Sequence, residues 1–123
     1  MYKDFDRWNT TKKRIDNNKR IDIRKKSVWI CSFGLNIGYE IDGKNDGFER
    51  PALVIKSFGR GDGIVLPLTS KNKKGKYLVL LNEKSYVNIT QIKYLDSKRF
   101  KRFLFEINNT AFEKVRFELK KLL

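Results

Sequence analysis

The sequence predicts a mainly β protein, built as one small barrel with a helix at each end. Three observations support this fold class: short apolar segments follow one another closely from residue 28, turn residues separate them, and helical spacing of apolar residues occurs at both ends. A chain of 123 residues with 40% hydrophobic residues can bury a single core. We expect residues 1–26 to form a basic N-terminal extension and residues 27–123 the barrel domain.

The N-terminal extension, residues 1–26, holds ten basic and four acidic residues. Its apolar residues Phe5, Trp8 and Ile15 are spaced as on one helix face, which predicts a short amphipathic helix from Asp4 to Asn17. The basic segment 19–26 that follows is either a solvated linker or an arm that grips nucleic acid.

Five strands are predicted next, each a short apolar segment bounded by turn residues. Two continuous apolar segments, 52–55 and 78–81, are typical of strands buried on both faces of a small closed sheet. Turn signals lie between the strands, for example Asp42-Gly43 and the glycine-rich segment 59–63. The predicted strands are Val28–Phe33, Ala52–Phe58, Ile64–Leu68, Tyr77–Leu81 and Tyr86–Ile89.

A second helix is predicted at the end of the chain. Thr110 and Glu113 have the spacing of a capping box, and an apolar stripe follows them. This stripe should either cover the open side of the barrel or meet a second copy of the chain. Its members are Phe112, Val115, Leu119 and Leu122.

Composition restricts the function. The chain has 28 Lys plus Arg against 14 Asp plus Glu, a formal net charge of +14, and this charge favours a nucleic-acid partner. It has no His, which excludes a His-pair ribonuclease and the commonest metal sites, so we expect neither a metal nor another cofactor. The single Cys31 lies in an apolar segment and should be a buried, inert thiol. No apolar segment is long enough for a membrane helix or a signal peptide, so a cytoplasmic location is expected.

Motifs in three parts of the chain occur in a characteristic order. Gly38-Tyr39-Glu40 precedes the segment Glu49-Arg50-Pro51-Ala52-Leu53-Val54-Ile55. Leu66-Pro67-Leu68-Thr69-Ser70 and Ile89-Thr90-Gln91-Ile92-Lys93-Tyr94-Leu95-Asp96 follow. Each motif alone is weak, but their order and spacing over residues 27–123 resemble the MazF/PemK toxins.

The resemblance implies an SH3-like barrel that forms a homodimer and cleaves single-stranded RNA without a metal, as an mRNA interferase does. It also implies an acidic antitoxin whose flexible tail occupies the RNA groove, and DNA binding together with that antitoxin. The family's active residues correspond to Arg50 and Thr69, with Gln91 as a supporting polar contact. The family also places a carboxylate at Glu40, which would be either the general base or an ion-pair partner of Arg50.

The chemistry of these residue types agrees with RNA cleavage, because the ribose 2′-hydroxyl can attack the adjacent phosphorus without an external nucleophile. The Arg50 guanidinium can engage two phosphate oxygens, Thr69 can add a hydroxyl hydrogen bond, and Gln91 can orient Arg50 or the ribose. Exposed aromatic residues in the flanking loops can stack on bases, and basic or hydroxyl residues can contact phosphates. The candidates for these contacts are Tyr39, Phe48, Lys56, Ser70, Lys71, Lys73 and Lys74.

Two other functions remain open. A noncatalytic SH3-like nucleic-acid-binding module would need only the positive charge and the small barrel. A gyrase poison of the CcdB kind would share the barrel but act on a protein target, so it would not need Arg50, Thr69 and Gln91. Cleavage of unstructured RNA distinguishes the endoribonuclease from both.

Overall fold

The computed structural model describes residues 2–45, 47–70, 75–82 and 84–123. These residues form a seven-stranded antiparallel sheet with one α-helix at each end of the chain, which confirms the predicted fold class. In chain order the elements are α1 (Phe5–Asp16), β1 (Ser27–Ser32), β2 (Glu49–Ser57), β3 (Asp62–Thr69), β4 (Leu78–Asn82), β5 (Ser85–Asn88), β6 (Lys93–Asp96), a 3-10 helix (Ser97–Arg99), β7 (Phe100–Glu106) and α2 (Asn109–Leu122).

Strand β3 is at the centre of the sheet, whose order is β4-β5-β3-β2-β1-β7. One side of β3 pairs with β2, whereas its other side is shared by β6, along 62–65, and β5, at 68–69. Among the described residues β4 and β7 do not pair with each other, so the hydrogen-bonded ladder of the small barrel is not closed. Strands β6 and β7 are absent from the sequence prediction.

Strand β2 is buried on both faces, as the sequence predicts. Leu53 packs in one core cluster with Phe112 of α2, and Ala52 and Val54 pack in a second cluster on the opposite face. The same prediction is wrong for β4, where Leu80 is 46% exposed. Leu80 alternates with Val79, which is buried in the core, so the Leu80 side chain lies on the face of β4 that points away from the core.

Cys31 lies fully buried in the second core cluster. Burial raises the pKa of its thiol far above the ordinary value, because the thiolate would lose its hydration. The prediction of an inert, buried thiol is therefore confirmed.

Helix α2 covers one face of the sheet with Phe112, Val115 and Leu119, which are buried against it. The predicted capping box is wrong. The N-cap is Asn108, whose side chain accepts a hydrogen bond from the Ala111 backbone N–H at 2.8 Å. Asn108 has the extended backbone of an N-cap residue and precedes the predicted cap by two positions.

Helix α1 falls within the predicted bounds, begins after the N-cap Asp4 and buries Trp8 and Ile15. The segment after it does not project into solvent, because Ile23 is buried in the second core cluster and the Lys26 backbone N–H donates to Val54 O at 2.9 Å. In the part of the chain that the structure describes, neither helix has the length and apolarity needed to cross a bilayer.

A buried carboxylate fixes the turn between β2 and β3. Asp62 is only 4% exposed, and both of its oxygens accept from Arg60 Nε, at 3.1 and 3.0 Å. The Tyr94 hydroxyl also donates to Asp62 Oδ2. These hydrogen bonds lower the pKa of Asp62. The hydrogen bond from Arg60 has the largest effect, and the one from Tyr94 has the next largest.

This network makes a testable contribution to stability. Because the pKa of Asp62 is lower in the folded state, its contribution is complete above the unfolded-state pKa, about 3.9, and is lost as pH falls through the folded-state pKa. We expect Asp62→Asn to lower the melting temperature at pH 7, and this difference to shrink as pH is lowered from about 4 towards 2. Thermal unfolding measured across this pH range tests the prediction, with the exposed Asp22→Asn as control. A difference that does not change with pH would contradict it.

Candidate active site

A pocket of about 330 Å³ opens where β2 begins and β3 ends. Three basic side chains and one acidic side chain are among its described lining residues, so it carries a positive charge. Its walls come from β1, β2, β3, β5, β7 and the turn before β2. The lining residues are Ile30, Lys44, Asn45, Glu49, Arg50, Pro51, Leu68, Thr69, Ser70, Ser85 and Arg102.

Strand register explains why Arg50 and Thr69 share this pocket. In the β2–β3 ladder Ala52 lies opposite Pro67. Continuing that antiparallel register by two residues brings Arg50 next to Thr69, on the same face of the sheet. The structure thus places both of these predicted site residues in one pocket.

Arg50 is half-buried and oriented by the loop before β2. Its Nε–H donates to the backbone carbonyl of Asp42 at 2.8 Å, while its terminal Nη groups make no hydrogen bond to another described residue. Burial lowers the pKa of Arg50, and the nearby Asp42 carboxylate partly opposes this effect. A guanidinium that has lost part of its hydration gains more from a bound anion than one in bulk water does.

Thr69 and Ser70 line the same pocket as Arg50. Thr69, the last residue of β3, is partly buried and pairs with Tyr86 of β5, whereas Ser70 is exposed. The pairing with β5 fixes the backbone of Thr69 at the pocket wall.

Glu40 does not line the pocket, contrary to its expected role as a base or an Arg50 partner. Its Oε1 accepts a hydrogen bond from the Ile37 backbone N–H at 3.0 Å, which closes a local turn. The carboxylate among the described lining residues is Glu49, directly before Arg50. The local turn is the physical reason for the difference, because it takes up the Glu40 side chain.

Gln91 is not among the described lining residues of the pocket, and its side chain binds the loop before β2. Its Oε1 accepts from the Ile41 backbone N–H at 3.0 Å, and its Nε2 donates to Tyr39 O at 3.2 Å. It thus holds the loop whose Asp42 carbonyl binds Arg50, and it makes no hydrogen bond to Arg50 itself.

The aromatic candidates differ in accessibility. Tyr39 is fully exposed on its loop and available for stacking. Phe48 is only 6% exposed, because its ring packs edge-on against Trp8 with centroids 5.3 Å apart. The expectation of Phe48 as a stacking platform is therefore wrong, since a base cannot reach its face.

Lys56 is the described member of the four predicted lysine contacts. Lys56 is exposed, but it lies six residues along β2 from Arg50, about 20 Å at the usual rise per residue. Lys71, Lys73 and Lys74 lie outside the described residues. Among the described residues no cluster of His, Cys, Asp or Glu has the geometry to hold a metal ion.

Sequence reasoning missed five polar residues among the described lining of this pocket: Lys44, Asn45, Glu49, Ser85 and Arg102. Glu49 directly precedes Arg50 in the same sequence motif, so its position in the sequence could have identified it as a site residue. Arg102 lies on β7, a strand that the sequence did not predict, so no signal placed it near Arg50.

Solved structures share this fold at low sequence identity. MazF from Deinococcus radiodurans aligns with a TM-score of 0.64 and 23% identity over 85% of this chain and 97% of that chain. An endoribonuclease from a Mycobacterial species aligns with a TM-score of 0.63 and 16% identity over 83% and 91%, respectively. A MazE–MazF structure from Deinococcus radiodurans aligns with a TM-score of 0.60 and 22% identity over 85% of this chain and 96% of that chain. The chain therefore has the fold of the MazF proteins.

The sequence identifies the family. The family profile described as "PemK-like, MazF-like toxin of type II toxin-antitoxin system" matches residues 24–123. The chain belongs to this PemK/MazF family of toxins. Among curated protein sequences, none is significantly similar to it.

Proposed function

We propose that this protein is a cytoplasmic endoribonuclease toxin that cleaves single-stranded RNA in the Arg50 pocket and is neutralised by an acidic antitoxin. The observation that carries the proposal is that Arg50 and Thr69 line one positively charged pocket. Family membership supports it, because relatives with the same fold are described as endoribonucleases and as MazE–MazF complexes.

The reaction uses a nucleophile that the substrate already contains. The ribose 2′-oxygen forms a bond to the adjacent phosphorus, the bond from phosphorus to the 5′-oxygen breaks, and the products are a 2′,3′-cyclic phosphate and a 5′-hydroxyl. One proton leaves the 2′-hydroxyl and one reaches the 5′-oxygen. The protein must therefore position the phosphate, stabilise its added charge and transfer protons.

Arg50 has the main role in this mechanism. Its Nε–H is held by the Asp42 carbonyl, so the two Nη groups have a fixed direction and can contact two phosphate oxygens at once. Thr69 adds a hydroxyl donor to the same phosphate, and Arg102 and Lys44 add positive charge at the pocket wall. Preorganised donors of this kind stabilise the charge that develops in the transition state.

Glu49 is the candidate for the general base in this proposal, and its carboxylate lies beside Gly47 at the start of β2. It is the carboxylate among the described lining residues, and a carboxylate can accept the 2′-hydroxyl proton. Glu40 is replaced in this role because its side chain closes a turn away from the pocket. Tyr39, fully exposed on the loop that Gln91 holds, offers a stacking surface for a base and so a source of sequence preference.

The partners follow from the same chemistry. A positively charged pocket attracts an acidic peptide as well as RNA, so an antitoxin tail that fills it would block cleavage by direct competition. A homodimer, which the family resemblance implies, would present two such pockets.

The direct test uses unstructured, end-labelled RNA in the presence of a chelator. We expect endonucleolytic cleavage with 2′,3′-cyclic phosphate or 3′-phosphate ends, because the ribose supplies the nucleophile. Mass spectrometry of the fragments reads these ends. Intact RNA would favour a noncatalytic binding module. Free 3′-hydroxyl ends would instead indicate attack by an activated water.

A further inference from the structure

The N-terminal extension contacts the loop that orients Arg50. The family profile begins at residue 24, so α1 and the residues before it lie outside the matched region. Lys3 and Trp8 both join this part of the extension to the barrel near the pocket.

The Lys3 contact is an ion pair with the Arg50 loop. Lys3 Nζ lies 2.9 Å from Asp42 Oδ2 and donates to the Asn36 carbonyl at 2.6 Å. The side chains of Lys3 and Asp42 are only 19% and 27% exposed, so water screens this pair less than it screens a surface pair. Asp42 Oδ1 in turn accepts from the Asn36 backbone N–H at 2.6 Å.

Asp42 joins this ion pair to the pocket. Its side chain binds Lys3, and its backbone carbonyl accepts from Arg50 Nε at 2.8 Å. The position of this carbonyl sets the direction of the guanidinium, because a guanidinium fork is rigid once one of its donors is fixed. A shift of the loop at Asp42 therefore moves Arg50.

The Trp8 contact holds the end of the same loop. The Trp8 ring packs against Phe48, two residues before Arg50, and the Phe48 carbonyl accepts from the Phe33 N–H at 2.8 Å. Gly34 leaves the space that this ring fills, since a Cβ at Gly34 would lie 2.2 Å from Trp8 Cζ2. The docked helix and the Lys3 ion pair thus contact the two parts of the chain that lead into β2.

We propose that the N-terminal extension positions Arg50 for catalysis and that Lys3, acting through Asp42, is a positioning residue of the active site. This inference rests on the proposed function. It assigns a role to a segment that lies largely outside the family profile. Since small misplacement of a catalytic group costs much of its effect, loss of the Lys3 ion pair should slow the chemical step and leave RNA binding nearly intact.

Three variants of the full chain test the proposal. Lys3→Met removes the ammonium group but keeps most of the aliphatic chain, and Lys3→Arg restores the charge. Lys13→Met removes the same charge from an exposed position on α1 and serves as the matched control. We expect Lys3→Met to lower kcat about tenfold or more with little change in KM, Lys3→Arg to recover most of the loss, and Lys13→Met to match the wild type.

Asp42→Asn tests the ion pair from its other side. Asn keeps an oxygen that can accept from the Asn36 N–H but loses the charge that binds Lys3. We expect it to lower kcat as Lys3→Met does, and the double variant to be no slower than either single variant. Additive losses would overturn the proposal, as would equal losses in Lys3→Met and Lys13→Met.

A readout independent of activity separates this inference from the proposed function. The Nε–H signal of Arg50, assigned by its loss in Arg50→Lys, reports the hydrogen bond to Asp42 in NMR spectra. We expect its exchange with water to be faster in Lys3→Met and restored in Lys3→Arg. If the wild-type protein leaves RNA intact but exchange is faster in Lys3→Met than in the wild type, the endoribonuclease is refuted and the positioning role is kept. Unchanged exchange and unchanged kcat would overturn the positioning role alone.

Discussion

Replacing Arg50 with Ala should reduce RNA cleavage by about a hundredfold to a thousandfold while the fold stays intact. The guanidinium is the half-buried cation whose orientation is fixed by a hydrogen bond at the pocket, so its loss leaves the phosphate charge without its preorganised donors. Initial rates on a fixed RNA, measured beside circular dichroism and thermal unfolding, test this expectation.

Two further variants show which property of Arg50 matters. Arg14→Ala removes an exposed guanidinium from α1 and should cleave RNA at the wild-type rate. Arg50→Lys keeps the charge but not the two-pronged donor, so it should recover only a small part of the activity. Full activity in a folded Arg50→Ala variant would refute the assigned role.

The parts of the fold that the sequence predicted are those set by local patterns. Helix α1 follows from the spacing of Phe5, Trp8 and Ile15, and β2 follows from its continuous apolar segment. Strands β6 and β7 were missed because charged residues interrupt their apolar ones, and their conformation depends on pairing with β3 and β1. Long-range pairing of this kind leaves little trace in a single segment.

The same distinction holds for the site. Arg50 and Thr69 lie at ends of adjacent strands, so strand order alone brings them together. The burial of Phe48 depends on Trp8, forty residues earlier in the chain, and the direction of Glu40 depends on a turn closed within its own loop. Loop geometry and docking of the extension therefore decided the assignments that the sequence alone could not make.

Removing the 2′-hydroxyl at the cleaved position should abolish cleavage. The site at which the wild-type protein cuts an RNA oligonucleotide is mapped first. A second oligonucleotide of the same sequence, with a single 2′-deoxy residue directly 5′ to the cut phosphate, then lacks the intramolecular nucleophile. We expect a loss of about a thousandfold or more, because well-oriented intramolecular groups react with very high effective molarity. The affinity should change little, since the phosphate and the bases that the pocket contacts are still present.

The control for this experiment is an oligonucleotide whose single 2′-deoxy residue lies three positions from the cut. It should be cleaved at the normal rate. Binding measured with the uncleavable oligonucleotide separates recognition from chemistry, and Arg50→Ala should weaken that binding because the phosphate contact is lost. Cleavage at an unchanged rate in the 2′-deoxy substrate would mean that water is the nucleophile. The Arg50 pocket would then have to activate a water molecule, and the roles of Glu49 and Thr69 would need to be reassigned.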